Sequence, residues 1–290
     1  MNTLRITHQT IYRHSGSAGA AWQMLQLRPR NEAAQDCLDF QLEISPGAAD
    51  LDSRTDYFGN TRHFFSIREP HRELSITSHS TVRRNQEALP LPGITQPLNA
   101  ARNHVAALIW ERGQFELEQY LHATARVPLL PEAALLAEGL DRDSLPLLDW
   151  IHQVGERLAQ AFTFDSSATD VDTPLTEVLQ THRGVCQDFT HLFLSCLRQQ
   201  GLPAAYVSGY LLTKPPPGQP RLRGADAMHA WASVFVPEVG WVDYDPTNTC
   251  FVGTGHIVVA RGRDYSDVSP TRGVFSGGGR HTLKLSLIHI

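Results

Sequence analysis

No run of apolar residues in this chain approaches the roughly 18 that a membrane-spanning helix needs. The first residues, Met1 to Gly16, alternate apolar and polar side chains and lack the apolar centre of a secretion signal. The expectations are therefore a cytoplasmic location and no membrane partner. A basic excess is also missing. With 25 Lys and Arg against 30 Asp and Glu, the net charge is -5 and the pI about 6.3, so the concentrated basic face of a nucleic-acid binder is not expected. Arg221, Arg223, Arg261, Arg263 and Arg272 are interspersed with acids and glycines and read as solvated surface. Cysteine is scarce. Cys37, Cys186, Cys196 and Cys250 are widely spread and show no paired spacing, which excludes a disulfide framework and leaves free thiols in a reducing compartment. There is no internal repeat, no low-complexity tract, and no motif for an organic cofactor.

What remains is an ordinary globular composition, 41% hydrophobic and 19% charged over 290 residues, enough for one large domain or two smaller ones. The first 85 or so residues alternate with period two. Leu4, Ile6 and Tyr12 share a face; Leu38, Phe40, Leu42 and Ile44 alternate with Asp39, Gln41 and Glu43; Phe65, Ile67, Leu74, Ile76 and Val82 continue the pattern. Turn signals at Ser45-Pro46-Gly47, Phe58-Gly59-Asn60 and Glu69-Pro70-His71 separate the runs. An α+β chain is expected, with a sandwich-like antiparallel β domain over residues 1–88.

The proline-rich stretch from Leu89 to Gly93 marks a boundary, and residues 89–145 read as linker and helical connection. Asn99 to Thr124 and Leu147 to Phe164 show helical spacing, with Leu148, Ile151, Gly155, Leu158 and Phe162 forming a buried stripe. Residues 146–260 form the expected core. Thr173-Pro174 opens a short helix ending near Gln180. Arg183-Gly184-Val185 then turns into a second helix whose buried stripe is Phe189, Leu192, Phe193, Cys196 and Leu197, ended by Gly201 and Pro203. Strands are expected at Ala204 to Leu212, His229 to Val236 and Gly240 to Asp245, with a proline-rich loop over residues 214–224. The tail, residues 261–290, is expected to add a strand.

One constellation in the core carries chemistry. Amide bonds resist attack because resonance stabilises the carbonyl and the amine leaves poorly. A thiolate attacks if one histidine both accepts its proton and protonates the departing nitrogen, with a carboxylate fixing that histidine. Cys186 falls in the first turn of a helix, where free N–H groups and the helix dipole favour the thiolate. Gly184 allows backbone to approach substrate closely. His229 opens a strand and Asp245 closes the next, so a short antiparallel turn brings them together. Trp231 lies on the His229 face. Asp243 shares the face of Asp245, and spacing alone does not separate these two carboxylates. Gln180 precedes the cysteine at a suggestive interval but reads as a surface residue.

Several segments then resemble one family. Arg183-Gly184-Val185-Cys186-Gln187-Asp188-Phe189, Gly201-Leu202-Pro203-Ala204, Val207-Ser208-Gly209-Tyr210, His229-Ala230-Trp231, Gly240-Trp241-Val242 and Asp245-Pro246-Thr247-Asn248 look like the transglutaminase-like superfamily, in its order and spacing. Leu27-Arg28-Pro29-Arg30, Asp56-Tyr57-Phe58-Gly59-Asn60, Gly262 to Val268 and Arg272-Gly273 are similar to bacterial members with an added N-terminal domain. The resemblance covers nearly the whole chain except the connection around residues 125–146. It implies a papain-like core with the cysteine opening a helix packed on an antiparallel sheet. It also implies Cys186 as nucleophile, His229 as base and Asp245 as the carboxylate. The implied substrate is a peptide or protein amide, cleaved by water or transferred to an amine through a thioester.

Three other readings weigh less. His182, Cys186 and His191 lack the paired ligands of a zinc site, and Asp264 and Asp267 are two loop acids. A non-catalytic scaffold of the same fold has no need of an intact Cys186, His229 and Asp245. A redox sensor needs a resolving thiol, and Cys196 lies some 15 Å along the helix. Cys37, Cys196 and Cys250 read as small buried hydrophobes, and His256 and His281 as surface or structural residues.

Overall fold

The computed structural model describes residues 2–85, 95–212, 223 and 228–289. The boundary expected at 89–93 and, Arg223 apart, the loop expected at 214–224 lie outside the described residues. Five strands come first: β1 (Asn2–Leu25), β2 (Gln35–Ser45), β3 (Ala49–Thr55), β4 (Thr61–Ile67) and β5 (His71–Arg84). Helices α1 (Leu98–Trp110), α2 (Pro131–Ala134) and α3 (Leu147–Ala161) follow. A short strand β6 (Thr163–Phe164), helix α4 (Leu175–Thr181) and strand β7 (Arg183–Gly184) lead to α5 (Cys186–Gln199). Then come β8 (Ala204–Leu211), β9 (His229–Val236), β10 (Gly240–Asp245), β11 (Cys250–Phe251), β12 (His256–Gly262), α6 (Tyr265–Val268), β13 (Thr271–Gly277) and β14 (His281–His289). The chain is thus mixed α and β, with mostly antiparallel sheets. No helix among the described residues is long and apolar enough to cross a membrane.

The N-terminal sheet is organised by the single 24-residue strand β1. Its first half runs between β5 and β14, and its second half between β4 and β13. The two halves turn one face towards each other, so Tyr12, Ala21, Leu25, Phe65, Ile67, Leu74 and Ile76 share one core. The seven strands form one sheet through β1, which pairs with β4, β5, β13 and β14. Both tail strands pair with β1. Period two holds along β1, where Leu4, Ile6 and Tyr12 are buried. It slips in β2. A bulge between Cys37 and Asp39 changes the face, so Leu38 is exposed while Cys37 is buried.

The helical stretch expected from Asn99 to Thr124 stops at Trp110, because Gly113 takes a left-handed turn (φ 72°) before a short 3-10 turn over Phe115–Tyr120. In α3 the expected stripe is buried, with Gly155 facing Tyr244. The central element is α5, buried on nearly every side. Its stripe of Phe189, Leu192, Phe193, Cys196 and Leu197 packs on the sheet β11-β10-β9-β8-β12. Its opposite face is polar by sequence yet also covered. The proline-punctuated connection lies across it, with the Ser195 hydroxyl donating to Pro128 O (2.7 Å) and Gln199 Nε2 to Leu130 O (2.8 Å). Buried polar groups there are tolerated because each has a partner.

The two sheets meet directly. Leu4, Ile6 and Val82 pack against Tyr210, Ile257 and Val259. Strand β12 is an edge of the core sheet, and its backbone at Val258 is capped on both groups by the Gln35 amide, 2.8 Å from N and 2.9 Å to O. Beside it Arg261 bridges Glu32 and Asp243 at 2.7–2.9 Å, and Asn60 bonds both Arg261 N and Arg261 O. Arg30 joins Glu32, Phe58 O and Asn60. We expect Arg261→Ala to lower unfolding stability by about 2–4 kcal/mol, since it removes the cation shared by Glu32 and Asp243 and leaves the Asp243 carboxylate, among the described residues, with only the Trp231 indole as donor. Urea denaturation reads this directly, and a loss below about 0.5 kcal/mol shows that the junction is not cooperative with the fold.

Candidate active site

The site is built on the start of α5. Strand β7 pairs in parallel with β6, and Asp165 N donates to Gly184 O (2.9 Å), so the chain enters the helix in a defined direction. Val185 is the extended N-cap, and Cys186 and Gln187 are the first two helical residues. Asp188 Oδ2 accepts Val185 N–H (2.8 Å) and the Thr169 hydroxyl (2.5 Å), closing the helix start. Gly184 serves this cap. A Cβ there would lie 2.8 Å from Asp188 Oδ2 and 2.9 Å from its Cβ. The space expected for substrate is thus filled by Asp188. The N–H groups of Cys186 and Gln187, at the first two helical positions, have no intrahelical acceptor, and the Cys186 side chain is partly buried.

His229 opens β9 and Asp245 closes β10, and the antiparallel register Tyr244 to Ala232 carries them together. His229 Nε2 lies 2.8 Å from Asp245 Oδ2, and neither side chain has any exposed area. Asp245 is a hub. Its Oδ1 accepts Thr247 N–H (3.0 Å) and Asn248 N–H (3.1 Å). Its Oδ2 also accepts Asn248 Nδ2 (2.7 Å) and lies 3.1 Å from His256 Nε2. Asp243, the rival by spacing, is engaged elsewhere. It accepts the Trp231 indole N–H (3.1 Å) and is paired with Arg261. Trp231 in turn packs 6.1 Å from the His229 ring. Gly209 makes room for that indole, since a Cβ would meet its Cη2 at 2.3 Å.

The electrostatics follow from this burial. Desolvation pulls the His229 imidazole down, but the charge of Asp245 and then that of Cys186 outweigh it and raise the pKa to about 10. Burial pushes the Asp245 carboxyl up, yet the charge and hydrogen bond of His229, with His256 behind them, hold it well below the usual carboxylate range. His229 Nδ1, the nitrogen turned from Asp245, has no hydrogen-bond partner of regular geometry. Tyr206 on β8 is a further neighbour. Its phenol is raised well above its ordinary range first by burial and then by the charge of Cys186. Cys196 and Cys250 are each pushed up to about 12 by burial, with Asp245 adding to the effect at Cys250.

The remaining sequence candidates are dispersed. His182 ends α4 in the left-handed region (φ 52°) and stacks on Phe162, while His191 is buried on α5 with Nε2 accepting Tyr265 N–H (3.3 Å), so no site gathers them around Cys186. Gln180 is exposed on α4. Asp264 caps Ser266 N, and Asp267 is paired with Arg263. Beside the helix start, a cleft of about 430 Å³ is lined by Arg126, Asp172, Thr176, Gln187, His191 and Ser266. Sequence reasoning missed His256, Asn248, Tyr206 and Asp188 as neighbours of the constellation. His256 was read as surface or structural, yet it is 2% exposed and contacts Asp245.

The His229–Asp245 pair makes a pH-dependent contribution to stability. The folded pKa of His229 is raised above 6.5, so its contribution is complete below about 6.5 and is lost as pH rises to about 10. The stability gap between wild type and His229→Gln should therefore shrink over that window. Denaturant midpoints measured at intervals of pH test this, and a gap constant from neutral to alkaline pH excludes a protonated His229 in the folded chain.

Comparison with known proteins places these elements in context. The model of the bacterial transglutaminase-like N-terminal region matches residues 4–83, and that of the transglutaminase-like superfamily matches residues 135–246. An uncharacterized protein of Mycobacterium bovis is 38% identical over 286 residues, spanning 93% of this chain and 86% of its own. One from Mycobacterium leprae is 30% identical, spanning 95% and 94%. The crystal structure of a proposed cysteine protease from Cytophaga hutchinsonii superposes with a TM-score of 0.77 at 16% identity, covering 99% of this chain and 90% of that one.

Proposed function

Because the chain belongs to the transglutaminase-like superfamily, we propose that it is an enzyme that transfers acyl groups from peptide or protein amides through a thioester on Cys186. The observation that carries this reading is the fully buried His229–Asp245 pair at 2.8 Å, set beside a cysteine that opens a buried helix. Such burial of two ionisable groups is costly unless they are paired and hydrogen-bonded.

In this mechanism the Cys186 thiolate attacks the amide carbonyl, and the C–S bond forms as the carbonyl π electrons move to oxygen. The N–H groups of Cys186 and Gln187 are the donors available to that oxyanion. Protonated His229 gives its Nδ1 proton to the departing amine as the C–N bond breaks, leaving a thioester. Asp245 keeps Nε2–H engaged throughout, which fixes the ring and the tautomer. Water or a primary amine then attacks the thioester, His229 takes its proton, and Cys186 is released. Hydrolysis and amine transfer share every step except the last.

Two measurements test the proposal. After incubation with glutamine-containing peptides, with and without a primary amine, mass spectrometry should show cleavage, deamidation or amine addition that Cys186→Ala abolishes. A change of equal size with Cys186→Ala sinks the nucleophile assignment. In the same assay Asp245→Asn should lower kcat/KM on the order of a hundredfold or more, while Asp243→Asn lowers it by less than about tenfold, since Asp243 acts on Trp231 and Arg261. Equal losses remove Asp245 from its assigned role. Activity should also fall as pH rises through about 10, where His229 loses the proton it donates.

A further inference from the structure

The hairpin behind the constellation holds a second donor set. Strand β10 turns into β11 so that Cys250 is the register partner of Asp245, which places both side chains on one face. His256, at the start of β12, reaches the same carboxylate, with Nε2 3.1 Å from Asp245 Oδ2. The donor atoms of Asp245, Cys250 and His256 all lie within 4.8 Å of one another, a grouping found once among the described residues. Asp245 is fully buried, His256 is 2% exposed and Cys250 is partly buried. His256 Nδ1 is buried with no hydrogen-bond partner.

We propose that Asp245, Cys250 and His256 form a binding site for a thiophilic divalent cation of the zinc class, and that occupancy inhibits the Cys186–His229–Asp245 constellation. One thiolate, one imidazole and one carboxylate make a three-ligand set that leaves a fourth position for water. Soft and borderline donors of this kind select zinc over magnesium or calcium. With metal–ligand bonds of about 2.0–2.3 Å, tetrahedral donors sit roughly 3.5 Å apart. Donor atoms within 4.8 Å of one another thus need a contraction of up to about 1.3 Å, which Cys250 on the short edge strand β11 is placed to make. Binding forms three coordinate bonds. The Cys250 thiol proton leaves to solvent, and His256 binds through a neutral ring nitrogen in place of its contact with Asp245.

The consequence for His229 is electrostatic. Asp245 holds the imidazole through its negative charge, and a coordinated cation draws on that same carboxylate. The inhibitory half of the proposal rests on the catalytic reading above; the binding half does not.

The experiment uses the full chain, stripped with a chelator and titrated with zinc against a chromophoric competitor. Cobalt then substitutes as a spectroscopic probe of thiolate ligation. Wild type and Cys186→Ser should each take up one equivalent and show the thiolate-to-cobalt charge-transfer band. Cys250→Ser and Cys250→Ala should lose the band, and these variants and His256→Gln should bind zinc on the order of tenfold more weakly or worse. Two substitutions at Cys250 and one at His256 guard against a single misfolded variant. No uptake by wild type, or unchanged uptake in all three, overturns the site. A band lost in Cys186→Ser instead assigns the ion to the nucleophile and overturns it as well. Zinc should also slow alkylation of Cys186 in wild type and not in Cys250→Ala. Equal slowing in both, or none in wild type that binds zinc, overturns the inhibition while leaving the site. None of the binding readouts requires an active enzyme, so failure to find a substrate is distinguishable from failure of this proposal.

Discussion

A fully buried carboxylate has to be given donors, and the arrangement around Asp245 follows from that need. Five donor groups surround its two oxygens, from His229, Thr247, Asn248 and His256. The turn after β10 supplies two backbone N–H groups, which is why Pro246-Thr247-Asn248 follows the aspartate. Asn248 does more than satisfy an oxygen. Its side chain also bonds Arg223 N and Arg223 O, tying the described residue of the preceding loop to the same hub. The charge of this carboxylate is what raises His229 against its own desolvation.

Around this hub the fold is held from both sides. Helix α5 is buried between the sheet and the proline-punctuated connection, and its first turn is fastened by the Asp188 cap. The N-terminal sheet caps the exposed edge of β12 through Gln35 and reaches Asp243 through Arg261 and Glu32. Asp243 holds the Trp231 indole, which packs against His229. Polar contacts thus run from the N-terminal segment to Trp231, and ring packing completes the path to the imidazole. Segments that look unrelated in sequence, Asp56 to Asn60 and Gly262 to Val268, meet at this junction, where Arg263 lies over the Phe58 ring.

Much of this was legible from the chain alone. Period two along β1, the helical stripes of α3 and α5, and the succession of Cys186, His229 and Asp245 each reflect local geometry that side-chain order records. The elements misjudged were those where a single residue changes the local path. The bulge after Cys37 exposes Leu38, and the left-handed Gly113 cuts the second helical stretch short. Gly184 was expected to admit substrate, but its missing Cβ accommodates the Asp188 cap. That distinction depends on which side chain occupies the space, and sequence order does not carry it.

What the sequence by itself determined is the chemistry available: a cysteine at a helix start, a histidine and a carboxylate at adjoining strand ends, and a chain of mixed α and β elements. Spacing left open which carboxylate faces the imidazole; the family motif implied Asp245, and the tertiary structure supplies the physical reason. Asp243 and Asp245 differ by one pleat repeat and share a face, so spacing cannot separate them. Their partners do: Arg261 arrives from β12 to take one, and His229 from β9 takes the other. The same holds for His256 and Cys250, whose approach to Asp245 is a long-range contact. Contacts of that kind are set by how strands close on one another, whereas the alternation within each strand is set residue by residue.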